Sequence, residues 1–365
     1  MQDSVKTTSK IEQYKRLKTS REAFALKGFE MRTRLTWFWT FSITVEFLLL
    51  VIAAQGNAQT KLEKLHVGYS AQAGSLAPIW ITKEAGIFKK HGLDVELLFI
   101  PGGPTAAAAL MSGEVPFTVI GGPAVISSNL AGSDLVMIAG IVNTFAFQIV
   151  TVKGISSYQQ LKGKRLGVNR YGASPDVAAR FALKHMGIDP KELTILQLGE
   201  QSTRLAAMMA GQLEAAVFLP PITTMALKQG MNVLLDLAEL AADFQITGVG
   251  SSQRFLTQRR QTAIKFMQAF VEGIHYYKTH KPESVNTIAK YMKISDMEAV
   301  GATYDYFAPK IVAQKPYPSL KGIKALIDLA AHEKPELKNI SPERFVNMTI
   351  LKEVDDSGFI DRLYR

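Results

Sequence analysis

The chain contains no cysteine in its 365 residues. A disulfide, a thiolate nucleophile, a cysteine-ligated metal and a lipid on a processed N-terminal cysteine are all excluded by that absence. Histidine is sparse, six in all, and no two stand at ligand-type spacing. His91 and His185 instead lie just before glycines that end helical runs, where a cation complements the helix dipole. Gly163-Lys164 lacks the spaced upstream glycine and following hydroxyl of a phosphate loop, and Gly248-Val249-Gly250 lacks the third glycine of a dinucleotide turn. Lys and Arg form no stripes interleaved with aromatics, so nucleic acid is not an expected partner. Asp94 and Glu96 read as solvated rather than as a paired acid and base, and neither a metal nor a cofactor is expected.

The formal net charge of +10 is concentrated at the start, with nine basic residues before position 35 and five acidic ones before position 59, leaving about +6 for the rest. That balance favours anionic partners only weakly. Residues 1–30 form a polar leader without an evident fold. Met31-Arg32-Thr33-Arg34 then opens an apolar run from Leu35 to Ala54 that ends Gln55-Gly56-Asn57-Ala58. A basic segment, an apolar core and small residues before the cut predict a signal peptide over 31–58, cleaved after Ala58, with export to the periplasm. Met31 is then a candidate start. The alternative is a retained membrane anchor, since the run is long enough to span; Glu46 inside it weighs against that.

With an apolar fraction of 47% the chain has material for two lobes. An internal echo says how they are built. Ala109-Leu-Met-Ser-Gly-Glu-Val-Pro-Phe-Thr-Val-Ile-Gly-Gly-Pro123 is answered 98 positions later by Ala207-Met-Met-Ala-Gly-Gln-Leu-Glu-Ala-Ala-Val-Phe-Leu-Pro-Pro221. Each copy is a helix end closed by glycine (Gly113, Gly211), a short apolar strand and a proline turn. The same offset relates two glycine-small turns, Gly74-Ser75 and Gly172-Ala173-Ser174, each between a strand-like and a helix-like run.

Strands and helices alternate from Leu65 to Leu198, the signature of mostly parallel sheets. Strand-like runs begin at Leu65, Leu93, Val115, Leu135, Phe147, Leu166 and Leu193, and Pro175 suits the first turn of a helix that reaches His185. Phe244 to Gly250 reads extended again, its glycines suited to a crossing between lobes. Beyond it, Phe266, Met267, Phe270, Val271, Ile274 and Tyr277 make one helical stripe, and prolines punctuate shorter helices to the end. The expected lobes are 59–145 with 250–365, and 146–249, the helical tail packing around a finished lobe.

Helix starts at Gly74-Ser75 and at Gly172-Ala173-Ser174 offer free backbone N–H groups and a hydroxyl to an anionic group, although either serine could simply cap its helix. Gly121-Gly122-Pro123 and Leu219-Pro220-Pro221 close strands at the carboxyl ends where open α/β sheets bind ligands, or are plain turns. Of the aromatics Tyr69, Trp80, Phe145, Tyr171 and Phe218, only Tyr171 is expected at a ligand.

The run Ala77-Pro-Ile-Trp-Ile-Thr-Lys-Glu-Ala-Gly-Ile-Phe-Lys-Lys-His-Gly-Leu-Asp-Val-Glu96, with Gly113-Glu-Val-Pro-Phe117, Leu161-Lys-Gly-Lys-Arg-Leu-Gly167 and Gly211 to Pro221, resembles the nitrate/sulfonate/taurine-type solute-binding proteins of ABC importers over Lys61 to Leu256. The resemblance implies a type II periplasmic-binding-protein fold, with two α/β lobes joined by two crossing strands and closing on a small, usually anionic molecule. It implies an ABC permease and its ATPase subunits as partners, and a monomer. Ligand-facing places by resemblance are Gly74, Ser75, Gly121, Gly122, Thr144 near the first crossing, and Tyr171 to Ser174; Pro220 is a candidate from its place on the strand-end turn alone. Pro116 and Leu219 depart from the family's acidic residues and are where an unusual ligand preference would begin. The same fold serves thiamine-pyrimidine synthases and binders of pyrimidine precursors; the synthases carry a cysteine-rich motif, which leaves an enzyme as the distant alternative.

Overall fold

The computed structural model describes residues 62–240, 243–331 and 335–365. The leader and signal peptide expected over 1–58 lie outside the described residues. Within them, ten strands run β1 (Glu63–Tyr69), β2 (Leu93–Phe99), β3 (Phe117–Ile120), β4 (Leu135–Thr144), β5 (Gln148–Thr151), β6 (Arg165–Val168), β7 (Thr194–Gln197), β8 (Ala215–Phe218), β9 (Asn232–Asp236) and β10 (Asp243–Ser252). They form two five-stranded sheets of identical construction, β2-β1-β3-β10-β4 and β7-β6-β8-β5-β9.

In the first sheet β1 is parallel to β2 and β3, while β10 is antiparallel to both β3 and β4, so four strands share a direction and one opposes them. The second sheet repeats this, with β6 parallel to β7 and β8 and β5 antiparallel to β8 and β9. Both sheets are therefore mostly parallel, as the alternation of strands and helices predicts. The opposing strand in each is the one the chain enters on arriving from the other sheet. The echo also occupies equivalent places, since β3 and β8 are the central strands, buried along their whole length. Covered on both faces, a central strand needs apolar residues at every position, which is why Phe117–Ile120 and Ala215–Phe218 read as unbroken apolar runs.

Helices α1 (Ala77–Glu84), α2 (Gly103–Ser112), α3 (Gly122–Leu130), α4 (Ser174–His185), α5 (Gln201–Met209) and α6 (Ile222–Lys228) cover the sheets, and α7 (Arg260–Thr279), α8 (Lys281–Met292), α9 (Met297–Phe307) and α10 (Leu320–Ala331) belong to the tail. Gly113 takes a left-handed φ of 80° where α2 ends, and Gly211 one of 68° after α5, conformations that favour glycine. The tail packs on the first lobe. Phe266 of α7 stacks on Phe117 of β3 with ring centroids 4.0 Å apart, and Gly140 of β4 donates its N–H to the Pro316 carbonyl at 2.8 Å.

One expectation is corrected by the sheet order. Gly248 and Gly250 lie inside β10, a strand of the first sheet, rather than at a crossing between lobes. Their lack of a side chain serves close packing, because a Cβ on Gly248 would sit 2.2 Å from the Ala139 carbonyl of β4. The two crossings are the three residues between β4 and β5 and the segment between β9 and β10. Phe145 at the first stacks on Phe244 near the second, ring centroids 3.8 Å apart, so the two connections share one apolar hinge.

Candidate ligand-binding cleft

Between the lobes lies a cavity of about 60 Å³, lined from one side by Ser70, Ser75, Gly102, Gly121 and Thr247 and from the other by Asn169, Ser174, Glu200, Gln201 and Arg204. A single water needs roughly 10–15 Å³ on this scale, so the space suits a small solute. Its position follows from topology: β1, β3, β6 and β7 all lead toward it, and each hands over to a helix that begins at its wall. Gly102 and Gly121 are the N-caps of α2 and α3, Ala173 that of α4 and Glu200 that of α5, and all four line the cavity. The short helical turn Gly74–Leu76 starts there too. A helix start presents N–H groups that have no partner inside the helix and the positive end of its dipole.

The lobes touch across this space. Ser174 Oγ donates to the Ile246 carbonyl of β10 at 2.9 Å, and the Gln72 N–H donates to Glu200 Oε2 at 2.9 Å. Glu200 Oε1 accepts from Asn169 Nδ2 at 3.1 Å, and Gln201 Oε1 accepts from the Leu219 N–H at 2.6 Å. Arg204, only 1% exposed, donates to the Gly199 and Val217 carbonyls, tying the start of α5 to β8. Burial lowers its guanidinium to about 10, with the charge of Glu200 acting the other way, so it stays protonated at neutral pH. Burial first and Glu200 second push the Tyr69 phenol above its ordinary value.

The residues singled out in the sequence divide into two groups. Ser75, Gly121, Ala173 and Ser174 line the cavity together. Gly74 adjoins it but faces the tail: a Cβ there would meet Thr303 Cγ2 of α9 at 2.3 Å, so the missing side chain admits a helix rather than a ligand. Gly122 likewise abuts β10, its Cβ position 2.5 Å from the Gln245 carbonyl. Thr144 ends β4 opposite Asp243, at the hinge and away from the cavity lining. Tyr171 is 47% exposed, its hydroxyl donating to the Ile195 carbonyl of β7, and Gly172 borders a separate outer groove between α3, α4 and α10. Pro220 lies beside the lining residue Leu219 and forms a cis peptide bond with Pro221. Pro116 precedes β3, at the opposite end of that strand from Gly121, and Leu219 alone of the two departures reaches the cavity.

Sequence reasoning missed Asn169, Glu200, Gln201 and Arg204. A signal existed. The offset of 98 that relates Gly113 to Gly211 also relates Gly102 to Glu200, the N-caps of α2 and α5.

Residues 74–284 match the family model described as NMT1/THI5 like, more than half of the chain. The chain belongs to this family. A protein of Brucella abortus named only as a binding protein is 28% identical over 70% of this chain and 78% of its own length. Among solved structures, the periplasmic aliphatic sulphonate-binding protein SsuA of Escherichia coli superposes with a TM-score of 0.63 at 19% identity, covering 78% of this chain and 92% of that one. The periplasmic nitrate-binding protein NrtA of Synechocystis gives 0.65 at 14% identity, covering 81% and 89%. The fold is thus that of periplasmic binding proteins.

Proposed function

We propose that this protein is an extracytoplasmic solute-binding protein that captures a small solute with an anionic group in the cleft and delivers it, in the closed form, to an ABC importer. The observation that carries this reading is the convergence of four α-helix starts on one small cavity closed by hydrogen bonds between the lobes. Helix starts attract negative groups, each worth about 0.3–1 kcal/mol, and their effects reinforce one another where solvent is excluded. The similarity to sulphonate- and nitrate-binding proteins of the same architecture supports it, as does the naming of the Brucella relative as a binding protein. Capture and release need no chemical step. Closure about the hinge converts occupancy into a shape that a permease recognises. Export by the segment over 31–58 accords with that role.

The test is a thermal-shift screen of the purified protein against nitrate, alkanesulfonates, aminosulfonates, carboxylates, phosphonates and pyrimidines. A ligand at about 100 times its Kd stabilises the folded form by about 2.7 kcal/mol and raises Tm with concentration. A saturable rise with a small anion-bearing compound is expected. Stoichiometric formation of a lysine adduct with pyridoxal phosphate, seen as a Schiff-base absorbance, would overturn the reading in favour of a synthase.

A further inference from the structure

We propose that the turn between α8 and α9, together with α9 itself, is a clasp: a part of the first lobe's tail that grips the second lobe and holds a fraction of the molecules closed before any solute arrives. The proposal rests on the solute-binding reading for its purpose, since closure matters only to a protein that encloses something.

The turn is built at a cost. Lys293, which closes α8, is the one non-glycine residue among those described with a left-handed backbone, φ 54° and ψ 44°. A residue bearing a Cβ adopts that conformation only where its surroundings over-determine it. The Ile294 N–H donates to the Ala289 carbonyl at 3.1 Å and the Lys293 N–H to the Lys290 carbonyl at 3.4 Å, the two bonds of a Schellman turn. The apolar residue after such a turn ordinarily packs on its own helix. Ile294 reaches further. Besides the main core it packs against a separate apolar cluster made wholly of second-lobe residues, among them Met208, Ile222 and Ala226. Every other described residue packed on that cluster belongs to the second lobe.

The grip continues along α9. Asp296 caps this helix, one carboxylate oxygen accepting from the Ala299 N–H at 3.0 Å, and the other oxygen accepts from Lys228 Nζ of α6 at 2.9 Å. That pair is exposed and adds little energy, but it fixes where along α6 the start of α9 sits. At the far end of α9, Tyr306 lies close enough to Asp236 of β9 for that charge, after burial, to push its phenol above the ordinary value. Between the two ends, Thr303 and Phe307 fill the space over Gly74, in the turn whose Ser75 and Leu76 line the cavity. One helix thus meets α6 and β9 of the second lobe and the cavity wall of the first. Because α9 is held to the first lobe at Gly74, a rotation of the lobes apart has to draw Ile294 off the second.

The absence of cysteine makes the test direct. Lys89→Cys and Lys191→Cys place one spin label on each lobe, at exposed positions just before β2 and β7, the strands farthest from the crossings. Double electron–electron resonance on the ligand-free protein should resolve a short and a long distance population, the short one being at least about a tenth of the molecules. Ile294→Ser should lower the ratio of short to long about fivefold, and Ile294→Val should leave it within about twofold. Ile294→Ala, a milder truncation read alongside it, should act in the same direction, and an unaltered far-ultraviolet circular dichroism spectrum shows that each variant folds. Lys228→Ala should change the ratio about twofold or less. A wild-type protein with no short population, or a ratio that both truncations leave unchanged, overturns the clasp. No solute enters this measurement, so either result leaves the solute-binding reading standing. Failure of every compound in the thermal-shift screen overturns that reading, whatever the distances show.

Discussion

Glycines near the cleft have different jobs although the sequence presents them alike. At Gly121 an added Cβ would meet Ser174 Oγ of the facing lobe at 2.2 Å, whereas at Gly74 it would meet Thr303 of a helix packed on the same lobe at 2.3 Å. The expected outcomes separate accordingly. Gly121→Ala should leave the ligand-free melting temperature nearly unchanged and weaken ligand affinity by about tenfold or more, because the severe clash with Ser174 arises only when the lobes meet, while the Ile246 carbonyl of the same lobe, 3.1 Å from the added Cβ, need give only slightly. Gly74→Ala should lower the ligand-free stability by about 1–3 kcal/mol, read as a fall in denaturant midpoint, because α9 has to shift in every state. The sequence set the glycine-serine turns apart as candidates, and the structure brings Ser75, Gly121, Ala173 and Ser174 to one cavity. What each glycine must accommodate depends on elements distant in sequence, α9 for Gly74 and β10 for Gly122, and no local pattern carries that information. Tyr171 stands outside that cavity for a related reason. An aromatic next to a ligand turn suggests a cleft wall, yet its hydroxyl is claimed by the carbonyl of Ile195 on β7.

At the scale of elements, the offset repeat exposed both central strands and the helices that precede them, because burial on two faces forces a continuous apolar run that survives in the sequence. It did not expose that β10 inserts between β3 and β4, since pairing of strands more than a hundred residues apart leaves no local trace. The two copies also differ in how they anchor their strands. In the first, the Pro116 carbonyl accepts from Ser251 Oγ at 2.8 Å. In the second, at the matching position, Glu214 accepts from the Arg165 N–H and guanidinium, holding the start of β6 against the start of β8. Those hydrogen bonds, the guanidinium first, bring the Glu214 carboxyl down to about 2, despite partial burial acting the other way. A depressed acid contributes stability above its unfolded pKa of about 4.3 and loses it as pH falls toward 2. Because the Arg165 side chain is 41% exposed, screening limits the contribution to about 1 kcal/mol or less. Glu214→Gln should therefore lower Tm by about 2–4 °C at pH 7, with the difference from wild type shrinking as the pH is taken from about 4 to 2 in a series of thermal melts.

For the molecule as a whole, the cleft is held shut by contacts that can be separated without unfolding either lobe. Ser174 Oγ to the Ile246 carbonyl is one, and the Gln72 N–H to Glu200 is another. On the outside, Lys228 of α6 pairs with Asp296 and Glu298 at the start of α9, a solvent-exposed contact of smaller weight. Ser174→Ala removes about 1 kcal/mol of closure and leaves the ligand-free fold intact. In small-angle scattering, wild-type protein should contract on saturation with its solute; the variant should need about fivefold more solute for the same contraction. An unchanged requirement would assign Ser174 to its helix alone.

The exchange of strands between the lobes bears on how the chain can be made. All five strands of the second sheet lie in one stretch, from Gln148 to Asp236, and can pair as soon as that stretch is available. The first sheet cannot, because its β3 and β4 are joined only through β10, which is synthesised after the entire second lobe. During elongation from the ribosome, the amino-terminal third therefore waits with a three-stranded piece, β2-β1-β3, and a lone β4 with no bridge between them. The last helices that cover it come later still. A nascent chain halted near residue 240 would hold one finished lobe and one unfinished one, with the cleft between them coming into existence only when the final third arrives.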